Sequence, residues 1–252
     1  MKNHKNFCLS VSFLLAFVFW TIAACFVDVK PIGPNESSVG FATINEFFHN
    51  LTGTNMTLYT ITDWLGLVPV AVCFGFALLG SCQLIKRKSI LKVDSSILVL
   101  GGFYIVTAIA YLLFEKLVIN YRPVLVEGFL EPSYPSSTTL FVLCVMPTAI
   151  LQLNDRIENK AFKKCVNIAV IAFTAFMVFG RLLSGVHWLT DIVGGALLST
   201  GLVLMYRCIT KILPSSFGEG RILNFGNTFI QLSPYQTYRI RRCNALARVR
   251  AL

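Results

Sequence analysis

Six stretches of the chain run apolar for about 17 to 25 residues each, the length that carries a helix across a bilayer's hydrocarbon core. They lie near Phe7 to Val27, Trp64 to Ile85, Ser96 to Phe114, Ser136 to Leu153, Cys165 to Leu183 and Trp188 to Ile209. The pattern predicts six spanning helices, the fourth being the shortest. The expected fold class is therefore all-α, an integral membrane six-helix bundle. Between the first two runs, residues 28–63 form a polar segment whose Phe47-Phe48-His49 patch reads as amphipathic, resting on the membrane surface or capping the bundle. After the sixth run the apolar pattern gives way to polar and basic residues. The division is thus a six-span domain over 1–212 and a basic tail without regular structure over 213–252.

Composition supports this. With 55% hydrophobic and only 13% charged residues, the chain is too apolar for an ordinary soluble domain. Lys2 and Lys5 before the first run, and Ile22-Ala23-Ala24-Cys25 near its end, resemble a cleaved leader. The run is long enough to span, so it is kept as a helix. Eight cysteines are scattered singly with no Cys-x-x-Cys spacing, which reads as small apolar filler rather than as a metal or disulfide framework. Three Asn-x-Ser/Thr triplets, at Asn35, Asn50 and Asn55, matter only where secretory glycosylation exists.

The distribution of charge changes the picture more than its sum. Starting from an inner N-terminus, 18 of the 22 basic residues fall on one side of the alternating loops, and only Lys30, Lys116, Arg122 and Arg181 on the other. The positive-inside rule then predicts both termini in the cytoplasm and the 28–63 segment outside. The net charge of +10 follows from topology and calls for membrane lipids, not nucleic acid, as its partner. Three of the four outer cations stand near the bundle mouth, against the charge rule. That placement implies an anionic ligand.

The chemistry gathers at the same mouth. Gly180-Arg181-Leu182-Leu183-Ser184-Gly185-Val186-His187-Trp188-Leu189-Thr190-Asp191 sets a guanidinium, an imidazole and a carboxylate between apolar runs, where charge is costly unless it meets a partner or a cavity. His187 and Asp191 are four apart and share a face if a helix has begun by His187, so the carboxylate could orient the ring. Arg181 offers a planar fork suited to phosphate oxygens. Taken singly, a snorkelling arginine, a helix-terminal histidine and a first-turn aspartate would explain these residues. At the start of the fourth run, Tyr134-Pro135-Ser136-Ser137-Thr138-Thr139 reads as a helix N-terminus with hydroxyls, a further anion-seeking feature, and Arg122-Pro123 precedes it.

These motifs resemble the type 2 phosphatidic acid phosphatase superfamily of lipid phosphatases, whose soluble relatives include vanadium haloperoxidases. The superfamily's third signature, Ser-Arg, five residues, His, three residues, Asp, is met by Arg181, His187 and Asp191, with Gly180 in place of Ser. Its first, Lys, six residues, Arg-Pro, is met by Arg122-Pro123, but Lys116 stands one position late and Glu115 occupies the lysine position. Its second, Pro-Ser-Gly-His, is met by Pro135 and Ser136, with Ser137 for Gly and Thr138 for His.

The resemblance implies a metal-free and cofactor-free phosphoryl transfer. His187 would be the nucleophile and form a phosphohistidine, and Asp191 would orient it. Arg181, Arg122, Lys116, Ser136, Ser137 and Thr138 would surround the phosphoryl oxygens. Thr138 cannot replace the family's proton donor, so a lipid diphosphate such as a polyprenyl diphosphate, with its better leaving group, is expected to be favoured over phosphatidate. Two functions stay open: an impaired lipid-phosphate phosphatase of the cell membrane with an extracytoplasmic site, and an inactive protein that only binds the lipid phosphate. A six-span transporter is less well supported, since no matched pair of broken helices is evident.

Overall fold

A computed structural model describes residues 2–212, 222–225 and 228–231, with side chains from 4 to 212. The helices are α1 (Lys2–Phe26), α2 (Ala42–Thr52), α3 (Met56–Leu65), α4 (Leu67–Arg87), α5 (Ser95–Lys116), α6 (Ser137–Asn154), α7 (Lys160–Leu183) and α8 (Leu189–Ile212). Among the described residues, six helical paths are long and apolar enough to cross a membrane, with α3 and α4 together forming the second. At 1.5 Å per residue, the 22 residues of α5 extend roughly 33 Å, enough for a hydrocarbon core of about 30 Å. Large apolar side chains such as Leu15, Phe19, Phe74, Ile105 and Phe179 point outward. A belt of that kind suits lipid rather than water, and the chain is a multi-pass membrane protein.

The second path begins earlier than the apolar pattern indicates, at Met56 instead of near Trp64. Asn55 explains the early start: its side chain accepts the Leu58 N–H at 2.9 Å and caps a first segment, α3, which ends at Gly66. The shortest span, α6, lies against α4, α5, α7 and α8 and has the smallest lipid-facing share. Central position compensates for modest apolarity.

Two packings hold the mouth together. Tyr134, in the loop before α6, lays its ring on Gly194 of α8, where a Cβ would come within 2.8 Å of the phenol, and its hydroxyl lies 2.7 Å from Thr21 Oγ1 of α1. On the other side, buried Asn45 of α2 donates to Thr190 Oγ1 and accepts from the Thr190 N–H, pinning α2 to the first turn of α8. The Phe47-Phe48-His49 segment therefore caps the bundle, with the His49 ring 5.6 Å from that of Trp188. At the opposite end, Asp94 joins Gln83, Arg87 and Arg156 and ties two short connections together.

Most of the expected 213–252 tail lies outside the described residues. Within it, β1 (Ile222–Phe225) and β2 (Thr228–Gln231) pair antiparallel, Ile222 opposite Gln231. These eight residues depart from the expectation of a tail without regular structure. Both tetrapeptides carry the apolar, β-branched and aromatic residues that favour strands.

Candidate active site

Three connections build the site. The first is the segment between α5 and α6. It folds back on itself, with Arg122 N–H bonded to the Glu131 carbonyl and Ser133 N–H to that of Asn120. This pairing brings Arg122 and Ser133, eleven positions apart, to the same wall. The second is the turn after α7. Gly185 adopts φ of +64°, the left-handed stop that glycine tolerates, and it lies so close to the Gly53 carbonyl that a Cβ would sit 1.8 Å from the oxygen. The third is the start of α6, where the Ser136 N–H donates to the Asp191 carbonyl at 3.1 Å.

His187 does not stand on a helix. It lies two residues before α8, and Asp191 is the third residue of that helix. The condition for a shared helical face is thus not met. The carboxylate reaches back to accept the Trp188 N–H at 2.9 Å, a capping bond. Asp191 Oδ2 is 3.7 Å from His187 Nδ1, beyond hydrogen-bond reach. Between them lies the Ser133 hydroxyl, 3.1 Å from Nδ1 and in close hydrogen-bond contact with Oδ2. Burial pushes the His187 pKa down to about 4, with the Asp191 carboxylate opposing that shift and the charges of Arg122 and Arg181 adding to it. The resting ring is therefore neutral.

Arg181 is 2% exposed and fully committed to the interior. Its Nη2 donates to Asp63 Oδ1 and to Thr138 Oγ1, each at 2.7 Å, and its guanidinium lies 4.8 Å from the Tyr59 ring centroid. Arg122 approaches the same ring at 5.7 Å and pairs with Glu131 at 3.2 Å. Gly180, where the resemblance expects serine, has a local cause: a Cβ there would come within 2.7 Å of Thr62 Cγ2 on α3. Close packing of α3 is what places Tyr59 and Asp63 over Arg181.

The cavity beside His187 is lined by Tyr111, Phe114, Glu115, Arg122, Ser133, Tyr134, Ser137 and Leu140, among others. Lys116 is exposed and is not on this wall. A step of one residue turns a helical side chain by about 100°, and the wall receives Glu115 in its place. Ser136 and Thr138 stand at the α6 N-terminus as anticipated, the latter bonded to Arg181. Several buried polar atoms have no partner: His187 Nε2, Arg122 Nε, Arg181 Nε and Nη1, and Ser136 Oγ. Unpaired buried donors are costly and mark places where a ligand's acceptors would fit. No group of three or more His, Cys, Asp or Glu able to hold a metal ion is found among the described residues.

Sequence reasoning missed Ser133, Tyr59 and Asp63. Ser133 could have been suspected from its place two residues before Pro135; Tyr59 and Asp63, one helical turn apart on a segment read as a loop, carried no signal until α3 was seen to pack on α7.

Comparison with known proteins points the same way. Residues 102–213 match the PAP2 superfamily model, the superfamily that Arg181, His187 and Asp191 resemble. A crystal structure of a transmembrane PAP2-type phosphatidylglycerolphosphate phosphatase from Bacillus subtilis is 18% identical, with a TM-score of 0.54 over 81% of this chain and 97% of that one. At that identity the likeness is one of fold. Among curated proteins, none matches.

Proposed function

We propose, with the PAP2 superfamily match across residues 102–213 as premise, that the protein is a membrane lipid-phosphate phosphatase acting through His187. The observation that carries this is the set of unpartnered buried atoms, Nε2 of His187 together with Nε of Arg122 and Nε and Nη1 of Arg181, with His187 and Arg122 lining one cavity. A phosphoryl group would supply the oxygens those donors lack. Nε2 would attack phosphorus, the bond to the leaving oxygen would break, and water would then hydrolyse the phosphohistidine to free phosphate. Two guanidiniums and the α6 N-terminus would stabilise charge in the transition state.

The leaving oxygen needs a proton. Thr138, holding the second-histidine position, can offer only a hydrogen bond, and loss of a general acid typically costs on the order of 10²- to 10⁴-fold in rate. Attack on the terminal phosphorus of a lipid diphosphate expels the lipid monophosphate, a better leaving group than an alkoxide, so the diphosphate is favoured over phosphatidate. The charge pattern of the loops supports an extracytoplasmic site.

A second reading, a lipid-phosphate binder without turnover, is favoured by one feature: each arginine already holds a carboxylate, Asp63 on Arg181 and Glu131 on Arg122. Phosphate release by purified protein in detergent separates the two. A polyprenyl diphosphate and phosphatidate are compared for the parent, His187→Ala and Thr138→His. The phosphatase predicts parental release that vanishes in His187→Ala, faster on the diphosphate, and a gain on phosphatidate in Thr138→His. A parent that binds both lipids and releases nothing is the binder.

A further inference from the structure

We infer that Ser133 is the positioning residue of this site, relaying a hydrogen bond from His187 Nδ1–H through its own hydroxyl to Asp191 and so fixing the histidine tautomer that leaves Nε2 free. This rests on His187 being the nucleophile, as proposed above.

The argument is one of donors and acceptors. Ser133 Oγ has one hydrogen and two lone pairs, and it lies against two groups at once, His187 Nδ1 at 3.1 Å and Asp191 Oδ2 at close range. An ionised carboxylate only accepts. If the serine hydrogen went to Nδ1, the Asp191 oxygen would face a lone pair at close range. If it goes to Asp191, the bond is charge-assisted and Oγ is left to accept from Nδ1–H. The second arrangement is the stronger by roughly a factor of two in bond strength. A neutral imidazole carries one hydrogen, so with Nδ1 protonated Nε2 holds the lone pair.

Burial makes the choice binding. Ser133, His187 and Asp191 are 2%, 4% and 0% exposed, so competing bonds to bulk water are excluded. Asp191 is anchored independently by the Trp188 N–H at 2.9 Å, and it is too far from Nδ1, at 3.7 Å, to orient the ring alone. Ser133 is in turn held by its backbone bond to Asn120. The relay moves no proton: when Nε2 bonds to phosphorus the ring becomes cationic, and Nδ1–H already points along the chain toward Asp191.

The test reads the tautomer directly. The chain has three histidines, so nitrogen-15 resonances of His187 in labelled protein are assignable by their loss in His187→Ala. The inference expects a protonated Nδ1 and a bare, pyridine-like Nε2 in the parent. A protonated Nε2 overturns it, and this reading needs no substitution at Ser133. Ser133→Ala, checked for parental melting temperature in detergent, is expected to lose about ten- to a hundredfold in kcat, by analogy with the hydrogen-bond partners that orient metal-ligating histidines. KM and inhibition by orthovanadate should hold within about twofold, with substantial recovery in Ser133→Thr. Because Ser133 also borders the cavity, a direct hold on phosphate is the competing role. Weakened vanadate inhibition with kcat intact would establish that role and overturn the relay. A parent without turnover in the phosphate-release assay strikes the phosphatase reading instead, and the tautomer measurement then decides the relay alone.

Discussion

Glu115 and Lys116 differ by one position and one hundred degrees of helix, and that difference sets the charge of the cavity wall. The resemblance expects a cation there; both side chains are exposed, but it is the Glu115 carboxylate that borders the cavity. Arg122 pairs with Glu131 and Arg181 with Asp63, so a phosphate bound as proposed would compete with carboxylates for both guanidiniums. Replacing Glu115 with lysine changes the charge of the cavity wall by two units, which at this exposed position, screened by solvent, is worth about 1 to 2 kcal/mol. Glu115→Lys should tighten inhibition by orthovanadate by roughly tenfold, fading with added salt. Unchanged or weaker inhibition in low salt would count against a phosphate position beside Glu115.

At the scale of elements, the α7–α8 turn carries His187, the proposed nucleophile, and has no slack. Gly185 occupies a left-handed conformation and touches the Gly53 carbonyl of the α2–α3 connection, while the Asn55 N–H donates to the Ser184 carbonyl at 2.9 Å. Gly185→Ala would add a conformational cost of about 1 to 2 kcal/mol and a backbone collision that must displace one connection or the other. The expected outcome is a lower melting temperature in detergent together with loss of phosphate release. Retention of both would show that the turn is softer than its contacts imply. The same packing explains Gly180, since α3 needs the space a serine would fill. Asp63 and Tyr59 therefore belong to the site through α3 rather than through any motif.

For the molecule as a whole, the site lies at one end of a bundle whose exterior is apolar and whose opposite end is ringed with Lys86, Arg87, Lys88, Arg156 and Lys164. The charge asymmetry predicts that an epitope inserted after Glu36 is reached by antibody in intact cells and that one at the C-terminus is reached only after permeabilisation. The reverse pattern would move the site to the cytoplasmic face. Hydropathy and charge are additive along the chain, so six spans, their approximate edges, the α6 start and the grouping of Arg122, Arg181, His187 and Asp191 at one mouth were legible without a fold. The amphipathic patch at Phe47 was legible as a surface or capping segment, though not which of the two. Helical phase at a terminus is a different matter. Whether Glu115 or Lys116 faces inward, and whether His187 stands on a helix or before one, depends on where each helix starts and stops, and caps and neighbours decide that. Ser133, Tyr59 and Asp63 reach the site only because the α5–α6 segment folds back and α3 packs on α7, contacts between residues distant in sequence that no local pattern encodes. The chain's one-dimensional order thus determined the class of protein and the cationic mouth with its histidine; the tertiary structure alone decided which oxygens and nitrogens orient that histidine and which carboxylates stand against its arginines.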